Sequence, residues 1–507
     1  MTKAFAKLPE FPALAITQRL HPAEVGQIDA LDAVIILLPE SQLGERFAGF
    51  PYAERLRKLL AAGADSLAPT RADLPNARGT TAIVASVKGA ASTFELLTLA
   101  RKAVTEARKA QPGRLGVLLP GHAAAHHARL AEAVVAAVAA ANFEAPTYKA
   151  KPEKTPPIEQ LTLFDGPRRL DFSRTLAAAE GNALARHLTL LPSNELTPSR
   201  YLAYAQKLAR REGWRLEFLD HKKLTALKAG AFLAVSQGSD AADAGIVCLT
   251  YAPSKAAARR KPVALVGKGI CFDTGGVNLK GAKGMYGMHG DMQGSAVALG
   301  TLLALTRLGV AFPVQAWLAL SRNDIGPRAY TQNEVVRAHN GVSIEIVHTD
   351  AEGRMVLADT LAILAAQRPQ FILDYATLTH SCITALGTRY SGAFCNQVAL
   401  HAAVIAAGQQ SGERVWPLPV DEDYDEELDS SIADIKQCTD DNEADAIYAA
   451  RFLSRFVSPE VPWIHVDLAA AENEGGLGHI PTDITGFGVR FTLNLLLEQK
   501  VAAGSGK

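Results

Sequence analysis

Short apolar runs recur along this chain, each bounded by Gly or Pro, with helical stretches between them, and that alternation leaves few folds open. In the first 150 residues Val34-Ile-Ile-Leu-Leu, Thr81-Ala-Ile-Val-Ala-Ser-Val and Leu115-Gly-Val-Leu-Leu have the length and bulk of buried strands. Ala-rich stretches over 94–110 and 123–141 read as the helices between and after them. Strand and helix in turn favour an α/β layer around a largely parallel sheet. Residues 149–157 combine prolines with charges and read as a linker, followed by a connecting helix over 173–188. The pattern then resumes. Strands are expected at 263–266, 314–320, 343–347 and 371–376, with helices at 293–308 and 354–366. In an open α/β sheet the chemistry gathers at the carboxyl ends of the strands, so the residues just after each strand matter most.

Composition removes several classes of function. The 507 residues balance 52 Lys+Arg against 52 Asp+Glu, and 48% are hydrophobic, which suits globular domains rather than a disordered chain. Zero net charge argues against reliance on bulk electrostatics to hold nucleic acid or an acidic membrane. Five cysteines are scattered with no C-x-x-C pair, so no disulfide framework is expected. The first ten residues lack a leader's apolar core, and the most apolar run, 133–141, is far shorter than the ~18 residues that cross a bilayer. A soluble protein of a reducing cytoplasm is the expectation. His122, His126 and His127 have no acidic residue at ligand spacing and read as surface histidines.

Three segments concentrate chemistry. Gly267-Lys268-Gly269-Ile-Cys-Phe-Asp273-Thr-Gly275-Gly276 runs on to Lys280, Gly290-Asp291 opens a helix, and His348-Thr-Asp350-Ala-Glu352-Gly353-Arg354 joins a strand end to a helix start. Together they hold four carboxylates and three cations, which read as fixed on short Gly-containing loops. Four carboxylates in one partly dry cleft repel strongly. Two divalent cations would neutralise them, polarise a carbonyl and generate a bridging hydroxide near neutral pH. Other readings stay open at this point. Asp-x-Glu is common on loops, Asp291 also fits an N-cap, and lysines beside glycine turns also suit phosphate. However, 276–282 lacks the lysine of a P-loop, and no G-x-G-x-x-G, H-E-x-x-H or G-x-S-x-G occurs.

Val266-Gly-Lys-Gly-Ile-Cys-Phe-Asp-Thr-Gly-Gly276, Lys280, Asp291, Thr349-Asp-Ala-Glu-Gly-Arg354, Ala376-Thr-Leu-Thr379 and Thr485-Gly-Phe-Gly-Val-Arg490 resemble the leucyl aminopeptidase (cytosol aminopeptidase, M17) family. The resemblance covers roughly the C-terminal three-fifths of the chain; the N-terminal part matches in size and in being α/β. It implies an N-terminal α/β (macro-like) domain over 1–165, a linker helix over 166–190, and a larger α/β catalytic domain over 191–507 with a mixed central sheet flanked by helices. It implies a metallo-exopeptidase releasing N-terminal amino acids through a metal-bridging hydroxide. One Mn²⁺ or Zn²⁺ is then held by Lys268, Asp273, Asp291 and Glu352, the other by Asp273, Asp350 and Glu352 with the Asp350 carbonyl. Lys280 stabilises the oxyanion, Arg354 holds a bicarbonate base, and Met288, Thr377, Leu378, His348 and His380 meet the substrate. Peptides with a free N-terminus and a cytoplasmic homohexamer complete the implied picture. The alternative is a family-fold binding or regulatory protein, for example DNA-binding, for which the charge gives no support.

Departures from the family pattern also stand out. His348 and His380 replace the usual Asn and Gly, and both positions lie beside the substrate in the family. The loop 322–330 lacks the family's glutamate, and 438–445 replaces a Gly-rich stretch.

Overall fold

The computed structural model describes residues 8–9, 11–40, 51–62, 68–153, 155–239, 243–440 and 443–502, without the side chains of 59–62. Lys154, Asp441, Asn442 and most of the first ten residues, on which the leader reading rests, lie outside the described residues. Two compact units emerge. One comprises Glu10–Ala179 with Glu474–Asp483; the other is chiefly Glu180–Asn473 with Ile484–Lys507.

The first unit is built on β1 (Ala15–Gln18), β2 (Ala33–Pro39), β3 (Thr70–Asp73), β4 (Thr81–Val87), β5 (Arg114–Leu118) and β6 (Gln160–Phe164). Their order is β1-β6-β5-β2-β4-β3, and only the β3–β4 pair is antiparallel. Side chains alternate across β2, so Ala33, Ile35 and Leu37 join a core with the helices Thr93–Arg108 and Ala124–Ala141. Val34, Ile36 and Leu38 fill the other face with Leu56 and Leu74. The first helix starts at a Ser92–Glu95 capping box, which satisfies two amide groups that would otherwise lack partners. Two expectations are corrected here. Residues 149–157 are not an interdomain linker: they lead into β6, an inner strand, and Asn142 ties their end down through bonds of 2.8 and 2.9 Å to the Ile158 backbone. His127 is buried rather than on the surface, because helical spacing sets it on the same face as Leu130, Ala131 and Val134.

In the second unit the strands are β7 (Arg215–Asp220), β8 (Gly245–Tyr251), β9 (Val263–Asp273), β10 (Val314–Asn323), β11 (Val335–Arg337), β12 (Ser343–Glu345), β13 (Phe371–Ala376), β14 (Ser391–Cys395), β15 (Val415–Pro417), β16 (Ile435–Lys436) and β17 (Trp463–Asp467). Eight of them form one sheet, β15-β14-β17-β13-β9-β10-β8-β7. Its centre, β17 to β10, is parallel, while β7, β8 and the β14–β17 pair run antiparallel, so the central sheet is mixed. Ala264 and Val266 of β9 pack with the helix Glu352–Ala365. Gly267, on the opposite face, meets the start of the helix Gln293–Arg307.

That meeting revises the reading of Gly267-Lys268-Gly269 as a loop: all three lie within the eleven-residue strand β9. A methyl group on Gly267 would fall 2.4 Å from the Gly294 backbone, and one on Gly294 would fall 2.1 Å from the Tyr375 carbonyl oxygen. Glycine is needed here for close approach of helix to sheet rather than for a turn. The strand expected over 343–347 is likewise shorter, Ser343–Glu345. It belongs to a separate three-stranded sheet, β11-β12-β16. The five cysteines are free and buried. Among the described residues no helix is long and apolar enough to cross a membrane.

Candidate metal centre and active site

Lys268 and Asp273 hang from β9, five residues apart, with Asp273 at the strand's carboxyl end. Asp291 follows the turn Met288–Gly290, just before the helix Gln293–Arg307. Glu352 opens the helix Glu352–Ala365, with Asp350 two residues ahead. The loop after β9 takes positive φ at Gly275 (88°) and Gly276 (66°). A side chain at Gly276 would strike Thr349 at 2.9 Å. Thr349 locks the two loops together: its Oγ1 donates to the Gly275 carbonyl at 2.7 Å and accepts from Asn278 N at 2.8 Å.

These elements bring all seven charged residues of the three motifs around one cavity of about 660 Å³, six of them lining it and Glu352 buried beside Lys268. Lys268 Nζ sits 2.7 Å from Asp291 Oδ2 and 2.9 Å from Glu352 Oε1, and donates to the Thr377 carbonyl at 3.1 Å. Lys280 Nζ bridges Asp350 Oδ1 at 2.5 Å and Asp273 Oδ2 at 2.9 Å. Oxygens of Asp273, Asp350 and Glu352 lie within 4.8 Å of one another. Met288, His348, Thr377, Leu378 and His380 line the same cavity. Asp350 N donates to His348 Nδ1 at 3.2 Å, while His380 is exposed at the first turn of the helix His380–Leu386.

The charge balance shows what such a nest accommodates. Four carboxylates face two ammonium groups, and Asp291, Asp273 and Glu352 are almost wholly buried. Burial, then the nearby carboxylates, push Asp291 up to about 8, although Lys268 opposes the shift. Burial and repulsion from Asp273 likewise push Glu352 to about 7 and Asp350 to about 6. Asp273 alone is held below its ordinary value; burial would raise it, but Lys280 and Lys268 outweigh that. Burial would also strip Lys268 of its proton, yet Asp291, Glu352 and Asp273 together keep it charged. Asp291 Oδ2, Asp350 Oδ1 and Glu352 Oε1 touch an ammonium but make no directed hydrogen bond among the described residues. Buried oxygens with negative charge in excess and unspent lone pairs are a donor set that fits divalent cations.

Further side chains, most of them outside the motifs, brace this site. Asn323, at the end of β10 and in register with Asp273, donates from Nδ2 to Asp273 Oδ1 at 2.9 Å and to the Thr349 carbonyl at 3.0 Å. Thr377 Oγ1 donates to Asp291 Oδ1 at 2.7 Å. Asp467 ends β17 and accepts from Leu378 N at 3.1 Å and Thr379 Oγ1 at 2.6 Å, holding the loop after β13. Asp445 pairs with Arg354. Their sequence signal was position alone: Asn323 and Asp467 both sit at carboxyl ends of strands that flank β9 or β13.

The profile of the Cytosol aminopeptidase family, catalytic domain, matches residues 183–493, more than half of the chain. This chain belongs to the cytosol aminopeptidase family. It is therefore a hydrolase of the leucyl aminopeptidase kind. A Corynebacterium diphtheriae protein described as "Probable cytosol aminopeptidase" is 39% identical over 354 residues, 69% of this chain and 70% of its own length. Among solved structures, a mutant of tomato leucine aminopeptidase is similar with a TM-score of 0.83 and 27% identity, covering 97% of this chain and 98% of its own. The bottromycin maturation enzyme BotP in complex with Mn is similar at a TM-score of 0.78 and 30% identity, covering 93% of this chain and 100% of its own. The family likeness thus reaches beyond the C-terminal three-fifths that carry the motifs.

Proposed function

We propose that this family member is a metal-dependent aminopeptidase that releases N-terminal residues from peptides with a free α-amine. The observation that carries the reading is a buried nest of four carboxylates against two lysines, open to a substrate-sized cavity. Lys268, as the neutral amine it would become beside a dication, would hold one Mn²⁺ or Zn²⁺ with Asp273, Asp291 and Glu352, and Asp273, Asp350 and Glu352 would hold the other; the solved complex of BotP with Mn supports manganese. When bound, such ions supply Lewis acidity to the scissile carbonyl and to water.

The chain's own groups do the remaining work. Lys280 keeps a charged ammonium on the cavity wall, where it stabilises negative charge developing on the carbonyl oxygen. Thr377 and Leu378 offer backbone groups on a loop that Asp467 holds rigid, so the peptide is oriented before reaction. Met288, His348 and His380 bound the space for the first side chain and set preference there. We further infer an N-terminal domain over 1–165, a linker helix over 166–190, a cytoplasmic location and a homohexamer. The last rests on family membership and is read by sedimentation.

The test is a panel of aminoacyl amides assayed with each metal. Chelator should abolish turnover, Mn²⁺ or Zn²⁺ should restore it, and N-acetylated peptides should be inert. Glu352→Ala removes a donor shared by both ions and should cost at least ~100-fold in kcat/KM. Normal turnover by that variant, or equal cleavage of blocked peptides, would falsify the assignment.

A further inference from the structure

We infer that Asp445 supplies, from within the chain, the anion that works beside Arg354, and that its carboxylate is the general base of the peptidase reaction. The inference rests on the aminopeptidase reading above and deepens it.

Arg354 is only 2% exposed, so its charge needs a partner close by. Its Nη2 donates to Asp445 Oδ1 at 2.6 Å, and its Nη1 donates to the Gln437 carbonyl at 3.3 Å. Among the described residues Nε has no hydrogen-bond partner. Bicarbonate bound as a bidentate anion needs two guanidinium nitrogens side by side. Each terminal nitrogen already holds one acceptor, and an anion on the remaining N–H groups would lie against the Asp445 carboxylate. Like charges side by side in a largely buried pocket repel, so bicarbonate does not fit this arginine.

The same carboxylate is placed for chemistry. Arg354 and Asp445 both line the cavity that Asp273, Asp350 and Lys280 line. Asp445 keeps about a fifth of its side-chain surface open, whereas a purely neutralising partner would serve as well fully enclosed. Its position is built rather than incidental. It is the first residue of the helix Asp445–Ser454, which follows Ala444 at φ 51°, a left-handed value that a non-glycine residue adopts only when its surroundings impose it. Ala446 N donates to Ser381 Oγ at 2.8 Å, and Ala446 and Ala450 pack with Cys382, Phe394 and Ala469. The helix start, and with it the carboxylate, is therefore held against the helix His380–Leu386.

The step balances without an outside acid or base. A water in the cavity gives one proton to the Asp445 carboxylate as its oxygen bonds to the scissile carbonyl carbon. The carbonyl π pair moves onto its oxygen. When that pair returns, the C–N bond breaks with its electrons left on nitrogen. Asp445 then passes the same proton to the departing amine. One water is consumed, and Arg354 orients the carboxylate throughout.

The experiment compares the Mn²⁺-loaded wild type with Asp445→Ala and Asp445→Asn, in buffer purged of carbon dioxide and with bicarbonate or formate added. Wild-type turnover should be indifferent to either anion. Asp445→Ala should lose about 10²–10⁴-fold in kcat, the range for a general base, and regain part of it saturably with bicarbonate or formate. Asp445→Asn, whose amide still fills the place, should lose as much and regain nothing. Calorimetric titration of formate gives a readout apart from turnover: Asp445→Ala should bind it and wild type should not. Stimulation of wild type by bicarbonate would overturn the inference, as would formate binding to wild type or Asp445→Ala turnover within about twofold of wild type. A wild type inactive with every metal would sink the aminopeptidase reading instead, and the formate titration would still decide what occupies Arg354.

Discussion

Replacing Gly353 with alanine sets two effects of opposite sign against each other. Gly353 is the second residue of the helix Glu352–Ala365, where alanine would ordinarily stabilise the helix by ~1 kcal/mol. Here its methyl group would lie 2.6 Å from Lys268 Cε and 2.8 Å from both Cδ and Nζ. Non-bonded carbons settle near ~3.5 Å, so the end of Lys268 must retreat by roughly 0.8 Å. It has little room, being 4% exposed and held by Asp291, Glu352 and the Thr377 carbonyl. Lengthening two ion pairs of 2.7 and 2.9 Å by that amount weakens each by about 1.3 kcal/mol at an effective dielectric of ~20. The sum, ~2.6 kcal/mol, corresponds to roughly an 80-fold loss. The Gly353→Ala protein should therefore fold, yet show kcat/KM lower by about that factor and need more Mn²⁺ for half-maximal rate. Melting curves and metal titrations on the purified variant measure both. A variant that melts higher and keeps wild-type kcat/KM and metal response would refute the placement of Lys268.

Two further perturbations probe groups behind the site. Asn323→Ala removes a 1%-exposed amide that orients Asp273 and satisfies the Thr349 carbonyl, so it should cost about 1–3 kcal/mol and lower kcat; unchanged turnover and melting would mean Asp273 needs no such support. Burial pushes the Glu413 carboxyl up to about 7, although Gly488 N and Phe491 N donate to it at 2.9 and 2.8 Å. An acid with a raised folded value keeps its proton where the unfolded chain has lost it. Stability should therefore fall as pH climbs from about 4.5 to 7, by at most ~3 kcal/mol, and stay level above that. Glu413→Gln should flatten this slope in denaturation midpoints taken between pH 5 and 8, and an equal slope in both proteins would contradict the assignment.

How far a sequence can be read depends on the range over which each signal acts. The strands 81–87 and 371–376 are mostly apolar runs buried on both faces, so local composition sets their limits, and β4 and β13 keep them. β9 shows where such reading stops. Its apolar run ends at Val266, but the strand continues to Asp273, because Gly267 and Gly269 answer to the Gly294 backbone and the Ala319 carbonyl rather than to a turn. Lys268 and Asp273 thereby gain the rigidity of a central strand. The roles of Asn323, Asp467 and Asp445 were not legible in the sequence for a similar reason. Each acts on a partner 50, 88 and 91 residues away, across strands or onto a helix start.

By itself the amino-acid order determined the class of fold and the kind of chemistry, since apolar spacing and the identity of charged residues are local properties of the chain. Which carboxylate faces which cation was decided only in three dimensions. Lys268 lies between Asp291 and Glu352, Lys280 between Asp273 and Asp350, and Arg354 against Asp445. Coulomb energy depends on separation in space, and only the packing of helix on sheet brings charges far apart in the chain to within 3 Å.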